Sequence, residues 1–139
     1  MAVRVKLVVA HGAKRVETVA LVNSGFETDT AQLLLPAAAA ERLGLWPPTH
    51  AQERTYDTAG GPTKVWAYPE ILEVKISTEE ASSKEVKADL VVSPIEDEAL
   101  ISDILAGELE IVVEDFGKGL WRLRKEKETR ESERPKVWK

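Results

Sequence analysis

Asn23, Ser24 and Gly25 are the residues of this 139-residue chain whose types and placement point most directly to chemistry. They follow an apolar run, Val19 to Val22, that reads as a strand and stops abruptly on the three polar or small residues. Small hydrogen-bonding groups at the open end of a rigid strand are well placed for binding or catalysis. A carboxamide and a hydroxyl both donate and accept hydrogen bonds, but the carboxamide has no proton to titrate near neutral pH. Other chemistries find less support. The chain has no cysteine, which excludes a thiol nucleophile, a thiolate metal site and a disulfide framework. His11 and His50 have no acidic or histidine partners at ligand spacing, so they read as surface loop residues. No metal and no cofactor are expected.

The elements that must hold this turn are mostly strands. Val3 to Val9 alternates apolar and charged residues, His11 to Lys14 reads as a hairpin turn, and Arg15 to Val22 as the returning strand. Gln32 to Leu35 is a further apolar strand. Pro36 to Leu43 predicts a helix, with proline preset for the first turn, an alanine tetrad, and Gly44 as a natural stop before Pro47-Pro48. Glu53 to Tyr68 gives two β-rich arms around Ala59-Gly60-Gly61-Pro62. Ile71 to Ile76 and Val86 to Val92 read as strands on either side of a polar turn, Ser77 to Ser83. Pro94 to Glu98 is an acidic loop. Leu100-Ile101 leads into a second short helix for which Ser102 or Asp103 is the N-cap. Glu110 to Asp115 and Leu120 to Leu123 form a last strand pair about the turn Phe116 to Gly119. From Lys125 to Lys139 the chain is charged and nearly free of apolar residues until Val137 and Trp138. That composition reads as a frayed helix or a disordered tail, with Trp138 available to dock on a partner subunit.

Composition narrows the function further. The length predicts one domain with a sizeable core. Net charge is −5 and the sequence pI about 5.2, so no basic face for nucleic acid is expected. No apolar run is long enough to span a membrane, the start does not read as a signal peptide, and a cytoplasmic location is expected. Asn23 is the only asparagine. Its scarcity, with a single Met and 31% charged residues, fits a thermophile-like profile as well as it fits chance.

Leu21-Val22-Asn23-Ser24-Gly25, followed by Leu33-Leu34-Leu35-Pro36 and then Leu43-Gly44-Leu45, resembles the active-site segment of the retropepsin-like aspartic proteases. The resemblance covers about Val3 to Arg124. It implies a protease domain over 1–124 and a charged tail over 125–139. The implied fold is mainly β: a closed β-barrel with one or two short helices, the acid-protease fold. It also implies a homodimer acting on peptide or protein substrates, with the site on the two-fold axis. Two carboxylates about 3 Å apart share one proton there and activate a water for attack on the peptide carbonyl. By the resemblance, Asn23 stands at the catalytic Asp position. Ser24 hydrogen-bonds across the axis, and Gly25 allows close backbone approach. Glu27, four positions on, orients the peptide backbone or is an ordinary solvated carboxylate. The Glu53 to Tyr68 hairpin becomes the flap, with Gly60 and Gly61 at its tip and Tyr56 and Trp66 as apolar walls. Leu100 and Ile101 are the apolar pair beside the catalytic loop, followed by Ser102 where the family usually has Gly. Asp57-Thr58-Ala59-Gly60 lacks the preceding apolar pair and carries an extra residue, so it is not the catalytic motif.

Asn23 departs from the family pattern where it matters most, because an amide cannot serve as general base. Three origins fit: a native residue of a non-catalytic member, an Asp→Asn substitution of an active one, or an Asn that converts to Asp after synthesis. Two functions therefore stand side by side. One is an aspartic endopeptidase that is inactive with Asn23. The other is a pseudoprotease that binds extended peptides in the flap-covered cleft.

Overall fold

Alternating apolar residues dictate most of the architecture. In the computed structural model, which describes residues 2–58, 60–78 and 84–139, six strands close into a barrel. They are β1 (Arg4–His11), β2 (Lys14–Val22), β3 (Gln32–Pro36), β5 (Gly61–Ile76), β6 (Val86–Ser93) and β7 (Ala99–Ile101). Their order is β1-β2-β7-β3-β6-β5, and antiparallel pairing of Leu7–Ala10 with Glu73–Ile76 closes the ring. Strand β4 (Gln52–Thr58) lies outside the barrel, paired only with the first half of β5 as a hairpin. Two short helices, α1 (Ala37–Arg42) and α2 (Asp103–Glu108), complete this part. A separate small sheet has the order β10-β9-β8, from Ile111–Asp115 (β8), Leu120–Leu123 (β9) and Arg130–Glu131 (β10). Ala59, expected at the hairpin tip, and most of the turn expected over Ser77 to Ser83 lie outside the described residues.

Side chains alternate across every barrel strand, and one set fills the interior. Val5, Leu7 and Val9 enter from β1, Ala20 and Val22 from β2, Leu33 and Leu35 from β3. Leu72, Val74 and Ile76 enter from β5, and Leu90 and Val92 from β6. Each buried leucine or isoleucine contributes roughly 2 kcal/mol by leaving water.

Strand β5 corrects the sequence reading. The segments expected as separate, ending at Tyr68 and starting at Ile71, form one continuous strand with a bulge between Tyr68 and Leu72. Pro69 lacks a donor for the ladder, and Glu70 takes a left-handed φ of 49°. Two extra residues are inserted opposite β6, an even number, so the inward face is kept on both sides of the bulge.

Helix α1 stops as the sequence predicts. Gly44 takes φ 76°, its N–H bonds to the Glu41 carbonyl, and the Leu45 N–H bonds to the Ala40 carbonyl. These two bonds make a Schellman stop that leaves Leu43 and Leu45 buried. Among the described residues, no helix is long and apolar enough to cross a membrane.

The tail is ordered against its own chain rather than frayed. The Arg4 N–H donates to Ser132 Oγ, the Glu133 N–H to the Arg4 carbonyl, and the Trp138 N–H to the Asp97 carbonyl. Trp138 is buried in the main core, its Nε1–H donating to Thr18 Oγ1 at 2.9 Å. The Lys136 ammonium and the Arg42 guanidinium lie 4.5 and 5.4 Å from its ring centroid. The buried indole and the main-chain bonds together anchor a tail whose charged residues bury little apolar surface of their own. Earlier in the tail, the Arg130 guanidinium grips Glu126 through two hydrogen bonds, and the Leu123 N–H adds a third.

Trp138→Ala is expected to lower stability by about 3 kcal/mol, from lost burial and from an orphaned Thr18 hydroxyl. Denaturant unfolding checks this, and an unchanged midpoint would show that the tail does not dock in solution. The hydrogen bond from Arg130 lowers the Glu126 pKa from 4.5 to about 2. Because the folded-state value is depressed, the stabilisation is fully present above pH 4.5 and fades as pH falls towards 2. Glu126→Gln is expected to flatten the stability–pH curve in that window; a curve as steep as the parent's would contradict the assignment.

Candidate functional site

The site starts from one strand pairing. β2 runs parallel to β7, with Ala20 opposite Ala99, Leu21 opposite Leu100 and Val22 opposite Ile101. The ladder continues one step further, since the Asn23 N–H donates to the Ile101 carbonyl at 3.3 Å. The chain then leaves the sheet in a tight turn. The Gly25 N–H donates to Asn23 Oδ1 at 3.0 Å, and the Phe26 N–H to the Asn23 carbonyl at 3.0 Å. Asn23 is half-buried, while Ser24 and Gly25 are exposed. A Cβ on residue 25 would stand 3.2 Å from Asn23 Oδ1, so glycine leaves that oxygen uncrowded.

The following loop is pinned to α2. The Asp103 N–H donates to the Phe26 carbonyl, and Asp103 Oδ1 accepts from the Thr28 N–H at 3.0 Å and from the Ile104 N–H. Ser102 is the N-cap and is completely buried. Its hydroxyl oxygen accepts from the Leu105 N–H and from the Gln32 N–H, and its own N–H reaches the Gln32 carbonyl. Serine therefore ties α2 to β3 at the position where the resemblance led glycine to be expected.

Registers across the barrel build an apolar row on its outer face. Leu21 of β2 faces Leu100 of β7, Leu100 faces Leu34 of β3, Leu34 faces Val91 of β6, and Val91 faces Ala67 of β5. Five strands at their usual spacing make this row about 19 Å long. The β4–β5 hairpin packs onto it: Val65 joins Leu34 and Val91, with Tyr56, Phe26 and Leu100 against them. The rings of Phe26 and Tyr56 are 6.4 Å apart, tilted by 58°. The Tyr56 hydroxyl donates to Gln32 Oε1 at 3.0 Å. Gln32 Nε2 in turn donates to Thr30 Oγ1, whose hydroxyl donates to Asp89 Oδ2. A polar chain thus holds the hairpin to the barrel beside the Asn23 turn.

The residues picked out from sequence divide into two groups. Asn23, Ser24, Gly25, Tyr56 and Leu100 come together around the row. Glu27 lies exposed on the adjoining loop. Gly60 and Gly61 sit at the hairpin tip, Gly61 with φ 105°. Ile101 points instead into the barrel core, because it follows outward-facing Leu100 on the same strand. Trp66 sits on the hairpin face opposite Val65 and packs edge-on against Trp46, with centroids 5.4 Å apart, so it is not a wall beside Tyr56. Phe26, Gln32, Leu34, Val65, Val91 and Asp103 join the site without having been picked out as site residues. Alternation along Leu33-Leu34-Leu35 and Leu90-Val91-Val92 marks two faces, but apolar residues on both conceal which one looks outward. Among the described residues, no group of three or more His, Cys, Asp or Glu side chains is placed to hold a metal ion.

Chemically, the arrangement offers a carboxamide, an exposed hydroxyl and main-chain donors beside an apolar strip under a hairpin. Ser102→Ala is expected to cost about 2 kcal/mol by removing a helix cap and orphaning the buried Gln32 N–H. Thermal unfolding measures it; a loss no larger than that of an exposed serine would argue that the hydroxyl is not the tie described. No protein-family model matches this chain, and no curated protein matches it.

Proposed function

We propose that this chain is a retropepsin-like aspartic endopeptidase domain that works as a homodimer and is hydrolytically silent with Asn23. The observation that carries this reading is the Asn23–Gly25 turn at the end of β2. It is held beside β7, at one end of an apolar row that a hairpin covers. In this reading two copies bring their turns together, and an extended peptide lies between the turns and the hairpins. With Asp at position 23, the two carboxylates share a proton, activate a water against the peptide carbonyl and protonate the leaving nitrogen. With Asn23, neither copy supplies a base, although the near-identical shape of the amide preserves the turn.

The second reading keeps the cleft and drops the chemistry: a pseudoprotease that holds an extended peptide. The position of β4 at the end of the sheet order favours it, since its outer edge suits strand addition.

Asn23→Asp tests both. Cleavage of an apolar peptide library in mild acid by Asn23→Asp, with the parent slower by about 10²–10⁴-fold or more, is the expected result. A folded Asn23→Asp dimer that binds peptides and leaves them intact would replace the peptidase reading with the second. A folded protein that neither binds nor cleaves peptides would sink both.

A further inference from the structure

We propose that Asn23 is a self-converting residue, and that the fold turns its carboxamide into a carboxylate. Three features meet at this turn. First, Ser24 is exposed, and its main-chain N–H has no hydrogen-bond partner among the described residues. That nitrogen belongs to the next residue, the group that closes a five-membered ring onto an asparagine side chain. Second, Asn23 Oδ1, which becomes the oxyanion during such an attack, already accepts the Gly25 N–H at 3.0 Å. A main-chain donor thus already faces the oxygen on which negative charge develops. Third, the chain carries no other asparagine. The single thermolabile amide of this type occupies the one turn built to react.

The steps balance without an oxidant or a cofactor. The Ser24 nitrogen gives its proton to solvent and attacks Asn23 Cγ. The Cγ–Nδ2 bond breaks, and ammonia leaves with a proton from solvent, so a cyclic imide remains. Water then adds to the imide. Opening the new Cγ–N bond leaves an aspartate at position 23 and restores the original main chain. Opening the other carbonyl–nitrogen bond would give an isoaspartyl linkage with one extra carbon in the main chain. The fold discriminates between these outcomes. Residue 23 is pinned on both sides, by its N–H to the Ile101 carbonyl and by its carbonyl to the Phe26 N–H. An extra main-chain atom would break that register, so the folded protein favours the ordinary aspartate. Net, one water is consumed and one ammonia released.

This inference does not rest on the peptidase reading. If both hold, the chain makes its own catalytic carboxylate after folding.

The test uses the full chain, incubated at mildly alkaline pH either folded or in guanidinium, then digested and mapped by mass spectrometry. Isoaspartyl methyltransferase labelling separates the two acidic products. The expected result is conversion at position 23 several-fold faster in the folded chain, with ordinary aspartate as the main product. Ser24→Pro, which lacks the attacking N–H, should abolish conversion; if that variant does not fold, the folded and denatured parent samples decide alone. Conversion no faster than in guanidinium, a mainly isoaspartyl product, or unchanged conversion in a folded Ser24→Pro variant would each overturn the proposal. None of these readouts involves peptide cleavage, so a failure here is distinguishable from a failure of the peptidase reading.

Discussion

The parallel pairing of β2 with β7 is the contact on which the rest of the site depends. Parallel neighbours cannot be joined by a tight turn, so the chain between Val22 and Ala99 must make a long excursion before it returns. That excursion supplies β3, β5 and β6, three further walls of the barrel, together with α1 and the β4 arm that lies outside it. Because β7 is only three residues long, it holds its place through neighbours on both sides: β2 in parallel and β3 antiparallel. The step from Ile101 into Ser102 secures it further, since a fully buried hydroxyl and N–H bond to Gln32 at the start of β3. A turn fixed to this junction inherits its rigidity, and that is what a site working by geometry requires.

The electrostatics of the turn are quiet. Asn23 brings hydrogen bonds without charge, and its oxygen is already satisfied by the Gly25 N–H. On the proposed dimeric reading, two amides meet at the axis with none of the repulsion that two carboxylates would face. A strongly bonded carboxylate lies elsewhere, at Glu126 in the tail, where Arg130 grips it. The polar chain from Tyr56 through Gln32 and Thr30 to Asp89 is the other notable network. It couples the hairpin to β6 without a buried charge, so opening the hairpin breaks neutral hydrogen bonds and an apolar contact rather than an ion pair.

The tail is anchored to the barrel as well. Its charged residues make few apolar contacts, yet main-chain bonds to Arg4 and Asp97 lead it to the pocket where Trp138 meets Thr18. The ion pair between Arg4 and Glu98 ties the start of β1 to the loop that precedes β7. The N-terminal strand, the tail and the β7 junction are therefore linked.

Alternation and end signals in the sequence determined most of the strands, the stop at Gly44, a helix N-cap at Ser102 or Asp103 and the Asn23 turn, because each is a property of a few neighbouring residues; the structure gives the cap to Ser102. The tertiary structure alone decided the rest. β5 runs through Pro69 because β6 pairs with it both before and after the bulge, whereas proline read locally ends a strand. A period of two separates the faces of a strand without saying which looks into the core; hence Leu100 lines the site while Ile101 fills the barrel, and Trp66 turns away from Tyr56. The apolar row from Leu21 to Ala67 exists only through register between strands far apart in the chain, which main-chain hydrogen bonds and core packing set together. Trp138 found its partner for the same reason: nothing near it in sequence can bury an indole, and Thr18, 120 residues away, can.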